Sequence, residues 1–161
     1  MKVFIPHNHR RCQVCSQNFF SDSPICFEAV SEHESLAKNE PLSMKELLTK
    51  YETLIKYQAI AKIVPTDKAE GYDGIMQGGI VTTLHDCAML HCLFQNSINA
   101  MTVSLASRFH YPIAIGQELE VRAQWVKSRR NIHFLESKIT QNGRLCSSAQ
   151  SQFMSVSSYQ T

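Results

Sequence analysis

The sequence lacks a long apolar run, and no stretch approaches the ~20 consecutive apolar residues that a membrane-spanning helix requires. The apolar run near its start, within residues 1–7, is also too short for a signal peptide. Without export, the six cysteines are expected to be reduced thiols rather than disulfides. We therefore expect a cytoplasmic protein with no membrane partner.

The sequence also lacks an excess of charge of either sign. The net charge is +2 over 161 residues, and the charged content of 19% and hydrophobic content of 43% are ordinary for a soluble globular protein. This balance gives no reason to expect a nucleic-acid partner. One local cluster of basic residues lies in a predicted connection between two strands, where it could contact a small anionic ligand: Lys127, Arg129 and Arg130.

Internal repeats and low-complexity linkers are absent, so the regular elements are inferred from hydrophobic periodicity. Apolar and polar residues alternate in five stretches, which predicts strands over 55–64, 101–111, 119–125, 132–140 and 145–155. Asn142-Gly143 is typical of a hairpin turn. A helix is predicted from about Gly79 to Phe94, and it is apolar nearly all round. Because such a helix must be wrapped by the only sheet available, we expect an α+β fold whose last four strands form a meander around it.

The first part of the chain has a different character. The first forty residues are rich in Cys, His, Asn, Ser and Asp and are expected to be irregular. The segment from Ser43 to Glu46 matches a capping box, and an apolar stripe of helical spacing continues to Leu54. We therefore expect an N-terminal extension over residues 1–54, which carries this short helix, and a domain over residues 55–161.

A glycine pair and a carboxylate stand out within the predicted buried helix. Gly78-Gly79 opens the helix, where the first backbone N–H groups have no intrahelical acceptor and can hold an oxyanion. Asp86 lies about two turns inside, and a carboxylate in apolar surroundings is costly unless it is paired or used. The combination indicates an active site. A structural alternative is that Thr82 or Thr83 simply satisfies Asp86, or that it is exposed.

The run from Gly74 to Ala88, followed by a strand that starts at Thr102 and ends in Tyr111-Pro112-Ile113, resembles the hot-dog-fold acyl-CoA thioesterases of the phenylacetyl-CoA type. Members of that family have a His-Gly-Gly signature at the start of a long helix and an Asp nine positions after the His. Some members have a Thr or Ser sixteen positions after the Asp. In this sequence, the corresponding positions hold Gln77, Asp86 and Thr102.

The resemblance implies an antiparallel sheet wrapped around one long central helix, and a thioester hydrolase that needs no cofactor. The backbone N–H of Gly78 or Gly79 would hold the oxyanion, and the Gln77 amide would orient the carbonyl in place of the family's His. Asp86 would act as nucleophile or general base, and Thr102 would hydrogen-bond the carboxylate or the attacking water.

The resemblance also implies a site between two protomers. Asp86 of one protomer would face Gly78 of the other, so we expect a homodimer or a dimer of dimers that acts on an acyl-CoA substrate. Lys127, Arg129 and Arg130 are then candidates to contact the CoA phosphates, because arginine donates in a forked geometry suited to phosphate.

Two alternatives concern the same site. The protein is a non-catalytic acyl-CoA or lipid-binding protein if Gln77 does not replace the His in function. It is a hydratase or dehydratase if a histidine works with the carboxylate, although His85 diverges from Asp86 by about 100° around the helix. His91 is expected to be a satisfied helix histidine, and Cys87 a buried core thiol.

A further alternative concerns the N-terminal cysteines. Residues 9–18 resemble a Cys-x-x-Cys-Gly-x-Asn-Pro leader that is common in the family. A tetrahedral zinc site of an interaction module, or a redox-active pair, could be built on these cysteines. Because a complete zinc site would normally show a second close pair of ligands, we expect no metal and a leader that folds over the sheet. The candidate zinc ligands are Cys12, Cys15, Cys26 and either His7 or His9.

Overall fold

A computed structural model describes residues 1–31 and 56–156. It contains one long helix, α1 (Gly78–Gln95), and two short 3-10 turns, at His7–His9 and Asp67–Ala69. The six strands are β1 (Glu28–Ser31), β2 (Tyr57–Ile63), β3 (Ala100–Phe109), β4 (Leu119–Arg129), β5 (Ile132–Gln141) and β6 (Arg144–Ser155). The capping box, the short helix up to Leu54 and the proposed boundary after residue 54 lie outside the described residues.

The strands form one antiparallel sheet in the order β1-β2-β4-β5-β6-β3. The predicted four-strand meander is therefore wrong for β3, which pairs with β6 rather than with β4. The reason is α1, whose 18 residues span roughly 27 Å. Lying across the sheet, α1 carries the chain from β2 to the far edge, so that β3 enters there and β4 returns beside β2.

The strand β1 corrects the prediction that the first forty residues are irregular. Residues Glu28–Ser31 pair with β2, in the register that sets Glu28 opposite Ile60. Four residues are too short for an alternation to be recognised without knowledge of the neighbouring strand. Phe20 and Phe27, on the same leader, are buried in the core.

The predicted central helix is confirmed, with bounds one residue longer at each end. Its residues are buried against the sheet over most of its length, including Leu84, Ala88, Met89 and Leu93. No helix in the described parts of the chain is both long and apolar enough to cross a membrane. The architecture is the hot-dog fold: an antiparallel sheet that wraps one long helix.

A buried histidine fastens α1 to the sheet. His85 has no exposed surface, and its two ring nitrogens contact the hydroxyls of Ser137 and Ser147. The Ser147 hydroxyl donates to the carbonyl of Arg108, so it accepts from Nε2–H while Nδ1 accepts from Ser137. The neutral ring is fully satisfied, and burial lowers the pKa of His85 to about 4.

This histidine predicts a pH-dependent stability. Its pKa is lower in the folded chain than the ordinary 6.5, so its contribution is complete above pH 6.5 and is lost as the pH falls towards 4. The free energy of unfolding should fall by about 3 kcal/mol across that window. In His85→Gln this part of the loss should disappear, whereas in the control His110→Gln, at an exposed position, it should persist. Urea unfolding at several pH values measures the slope, and an unchanged slope in His85→Gln would contradict the assignment.

Candidate active site

The start of α1 presents two backbone donors to solvent. Gln77 is the N-cap, and its side-chain Oε1 accepts from the Ile80 N–H at 2.8 Å. Its carbonyl accepts from the Val81 N–H at 3.0 Å. Within the described part of the chain, the N–H groups of Gly78 and Gly79 have no acceptor. They lie at the positive end of the helix dipole, an arrangement suited to an oxyanion.

The glycines around this helix start allow close approaches. A Cβ on Gly79 would lie 2.9 Å from Gln77 Oε1 and would displace the capping side chain. A Cβ on Gly71 would lie 2.9 Å from the Gln77 Cβ, so the preceding loop also depends on a glycine. A Cβ on Gly78, in contrast, would meet only the Phe109 ring, at an ordinary 3.6 Å. Gly71 was not identified from the sequence, because its close contact is tertiary.

The cap also determines how the Gln77 amide is oriented. Because Oε1 accepts from Ile80, the amide nitrogen Nε2 is the group left over, and it makes no hydrogen bond among the residues described. The side chain therefore carries a spare N–H₂ donor beside the free N–H groups of the glycine pair. That is the donor that the sequence analysis expected from Gln77.

An apolar groove of about 340 Å³ opens at this end of α1. Its lining includes Met76 and Val81 from the helix side, and Phe109 and Tyr111 from the end of β3. Phe109 and Tyr111 are both about half exposed. The sequence analysis placed them at the end of a strand but could not show that they face the glycine pair, because that depends on the position of β3 in the sheet.

Asp86 and Thr102 come together, as expected. The Thr102 hydroxyl, on β3, donates to Asp86 Oδ1 at 2.7 Å. The structural alternative for this carboxylate is not observed, because Thr82 and Thr83 donate instead to the carbonyls of Gly78 and Gly79. Burial raises the pKa of Asp86, whereas the Thr102 hydrogen bond and the nearby His9 lower it.

The two halves of the candidate site do not meet within one chain. Gly78 and Asp86 are eight residues apart on α1, which corresponds to about 12 Å along the helix axis. A small group cannot contact both. Among the described residues, β3 forms an edge of the sheet, pairing only with β6, and its Met101 and Val103 side chains are more than half exposed. An exposed apolar edge of this length is a surface on which another chain can pair.

The basic cluster lies within and just after β4, which corrects its predicted place in a connection. Lys127 and Arg129 belong to the strand, and Arg130, with φ 57°, begins the turn into β5. A bulge after Trp125 interrupts the period-two pattern, which is why alternation ended the strand too early. Following the pairing across β5 and β6, Arg129 is level with Met101 at the start of β3, three strands and roughly 14 Å away.

His85 faces away from this site. Both of its ring nitrogens are engaged inside the sheet, by Ser137 and Ser147, while Asp86 faces β3. The arrangement agrees with the expectation that His85 and Asp86 do not form a catalytic pair.

Comparisons with known proteins agree with this architecture. The family model described as the thioesterase superfamily matches residues 73–147, a little under half of the chain. The match includes the glycine pair, Asp86, Thr102 and the basic cluster. No curated protein sequence matches the chain.

Solved structures show the same fold. A hypothetical thioesterase from Streptococcus pneumoniae TIGR4, with coenzyme A, has a TM-score of 0.60 at 16% identity, and the match covers 62% of this chain and 81% of that one. The smu.793 protein of Streptococcus mutans UA159, bound to acetyl CoA, has a TM-score of 0.59 at 18% identity over 62% and 81%. A mutant of the phenylacetic acid degradation protein PaaI from Thermus thermophilus has a TM-score of 0.57 at 18% identity over 62% and 85%.

Proposed function

We propose that this protein is an acyl-CoA thioesterase. The observation that carries the proposal is the start of α1, where the Gln77 cap leaves the Gly78 and Gly79 N–H groups free at a glycine-lined apolar groove. A thioester carbonyl can approach such a backbone closely, and its oxygen gains negative charge during acyl transfer. The fold and the thioesterase-superfamily match give independent support.

The chemistry assigns distinct roles to the site residues. The thioester oxygen accepts from the N–H groups of Gly78 and Gly79, with the Gln77 amide as a further donor. Asp86 either attacks the carbonyl carbon or takes a proton from the attacking water, and Thr102 holds the carboxylate in place. Water adds to the acyl group and the sulfur leaves as CoA thiol, so the products are the free acid and CoA.

The site takes its two halves from two copies of the chain. Because about 12 Å separates Gly78 from Asp86 along one helix, Asp86 needs the helix start of another copy. The exposed edge β3 carries Thr102, so a second copy that pairs there lies beside Asp86. We therefore propose a homodimer, alone or as part of a dimer of dimers, with two equivalent sites.

The CoA moiety is proposed to contact the basic cluster. Lys127, Arg129 and Arg130 are exposed at the end of the sheet that carries Thr102. Two similar structures hold coenzyme A or acetyl CoA, which supports a ligand of this class. A cytoplasmic location remains a prediction from the sequence.

A non-catalytic acyl-CoA-binding protein is the second candidate, and the glutamine at position 77 favours it. Hydrolysis of a panel of short, medium, long and aromatic acyl-CoA esters, followed by the release of free CoA thiol, separates the two. We expect turnover of at least one class. Binding of acyl-CoA by calorimetry without turnover of any ester would establish the second candidate instead.

Thr102→Val predicts a change in the pH profile. The variant removes the hydrogen bond that lowers the pKa of Asp86, so that pKa rises further. Because hydrolysis needs the ionised carboxylate, the acid limb of kcat/KM should move to higher pH, with a smaller effect on the plateau. Thr102→Ser, which keeps the hydroxyl, is the control and should leave the limb in place. An acid limb that is identical in Thr102→Val and the wild type would show that the hydroxyl does not act on Asp86.

A further inference from the structure

A cluster of histidine and cysteine side chains lies between the N-terminal leader and α1, outside the roles proposed above. The ligand atoms of His9, Cys12 and Cys15 all lie within 4.8 Å of one another. His9 Nε2 is 3.3 Å from Cys15 Sγ. Ligand atoms on one tetrahedral zinc ion are separated by about 3.5 to 3.8 Å, given Zn–N and Zn–S bonds of about 2.0 and 2.3 Å. The three side chains are therefore nearly in place for one ion.

A fourth side chain reaches the cluster from α1. His91 is only 1% exposed, and its Nδ1 lies 2.8 Å from the carbonyl of Cys87. A carbonyl only accepts, so Nδ1 carries the hydrogen and Nε2 has a free lone pair in the neutral ring. Among the described residues, Nε2 has no hydrogen-bond partner. A histidine whose other nitrogen donates to a backbone carbonyl is the usual form of a metal ligand.

The surroundings hold His91 against the cluster. Its ring stacks on Phe27, with centroids 4.3 Å apart, and meets the edge of His9 at 6.1 Å. His91 also lies close enough to Cys15 to help lower the pKa of that thiol, after the larger effect of the Cys87 hydrogen bond. The orphaned nitrogen therefore belongs to the cluster formed by the leader.

We propose that His9, Cys12, Cys15 and His91 bind one zinc ion in a tetrahedral site. Two thiolates and two neutral imidazoles balance the charge of Zn²⁺, so the buried site carries no net charge. The ion would satisfy His91 Nε2 and would tie the leader to α1. Cys87 would act as a neighbour of the Cys15 sulfur rather than as a ligand.

This ligand set differs from the one considered for the sequence alone, and it replaces the prediction of no metal. Cys26 is exposed and outside the cluster, and His7 is exposed as well. The missing second half of the site is His91, which lies 76 positions beyond Cys15 on another element. A search for a second close pair of ligands could not find it.

The test uses the full chain with a tag that contains no histidine, purified under reducing conditions without chelator. We expect one zinc ion per chain by mass spectrometry, with two sulfur and two nitrogen ligands in the zinc X-ray absorption spectrum. Zinc titrated into the chelator-stripped chain should release about two protons, because two thiols ionise. The variants Cys12→Ser, Cys15→Ser and His91→Gln should weaken zinc binding by at least about 100-fold, the upper range for loss of an outer-shell partner.

Matched controls separate the two ligand sets. Cys26→Ser and His7→Gln should bind zinc as tightly as the wild type, whereas His9→Gln should not. The wild-type titration judges the proposal even if a ligand variant does not fold. Wild-type affinity no higher than that of Cys12→Ser would overturn it. Loss of zinc in Cys26→Ser, or an anaerobically purified chain that contains a Cys12–Cys15 disulfide and no zinc, would do the same.

Discussion

Asp86→Asn is expected to lower kcat/KM for acyl-CoA hydrolysis by about 100- to 10,000-fold, the usual contribution of a group that transfers a proton in the transition state. The loss is larger still if Asp86 is the nucleophile. The amide has nearly the shape of the carboxylate, and its oxygen can still accept from the Thr102 hydroxyl, as Asp86 Oδ1 does at 2.7 Å. The variant therefore removes the reactive group with little change in structure. Steady-state release of CoA thiol measures the loss.

Acyl-CoA affinity gives the control for this variant. Calorimetry with a slowly hydrolysed ester should give similar dissociation constants for Asp86→Asn and the wild type, because the carboxylate acts on the reacting carbonyl. If turnover falls by less than tenfold, Asp86 is not the reactive group. The buried carboxylate paired with Thr102 would then be only a structural contact between α1 and β3.

Gly78→Pro is expected to lower kcat by about 100- to 1,000-fold, the cost of one oxyanion donor. The substitution removes a single N–H at the first position of α1, where proline is well accepted because that N–H has no intrahelical acceptor. The preceding residue is already compatible with proline, since Gln77 has φ −67° and ψ 134°. Helix stability should therefore change little while the donor is lost.

Gly78→Ala is the matched variant, because it keeps the N–H. Its added Cβ would lie 3.6 Å from the Phe109 ring, an ordinary contact, so a change in kcat of only a few-fold is expected. Kinetics on both variants, with thermal unfolding of each, separate loss of the donor from crowding of the groove. Equal activities in Gly78→Pro and Gly78→Ala would show that the Gly78 N–H does not hold the oxyanion.

The elements of the fold that could be predicted are those with a strong local pattern. Strands β2, β4, β5 and β6 show period-two alternation, and α1 is a long apolar helix that begins at a glycine pair. The strand β1 and the place of β3 beside β6 could not be predicted, because they depend on pairing between segments far apart in the chain. The tip of β4 was missed because the bulge after Trp125 breaks the alternation.

The same distinction applies to the site. Asp86 and Thr102 were paired through the family spacing, and the structure places them 2.7 Å apart. The role of Gln77 as a cap, the groove at Phe109 and the approach of His9 to Asp86 arise from tertiary packing and leave no periodic signal. The orphaned nitrogen of His91 is a further case, because the sequence predicted a satisfied histidine and the structure satisfies only one of its two ring nitrogens.

The central claim is that Asp86 of one protomer and the α1 start of another form one hydrolytic site. Its most direct test combines Asp86→Asn and Gly78→Pro in a hybrid dimer, made by coexpression with two different tags and purified through both. Each variant alone should be nearly inactive. The hybrid should recover about half of the wild-type rate per dimer, because one of its two sites receives both intact parts. A hybrid dimer as inactive as the two parent variants would contradict the shared site.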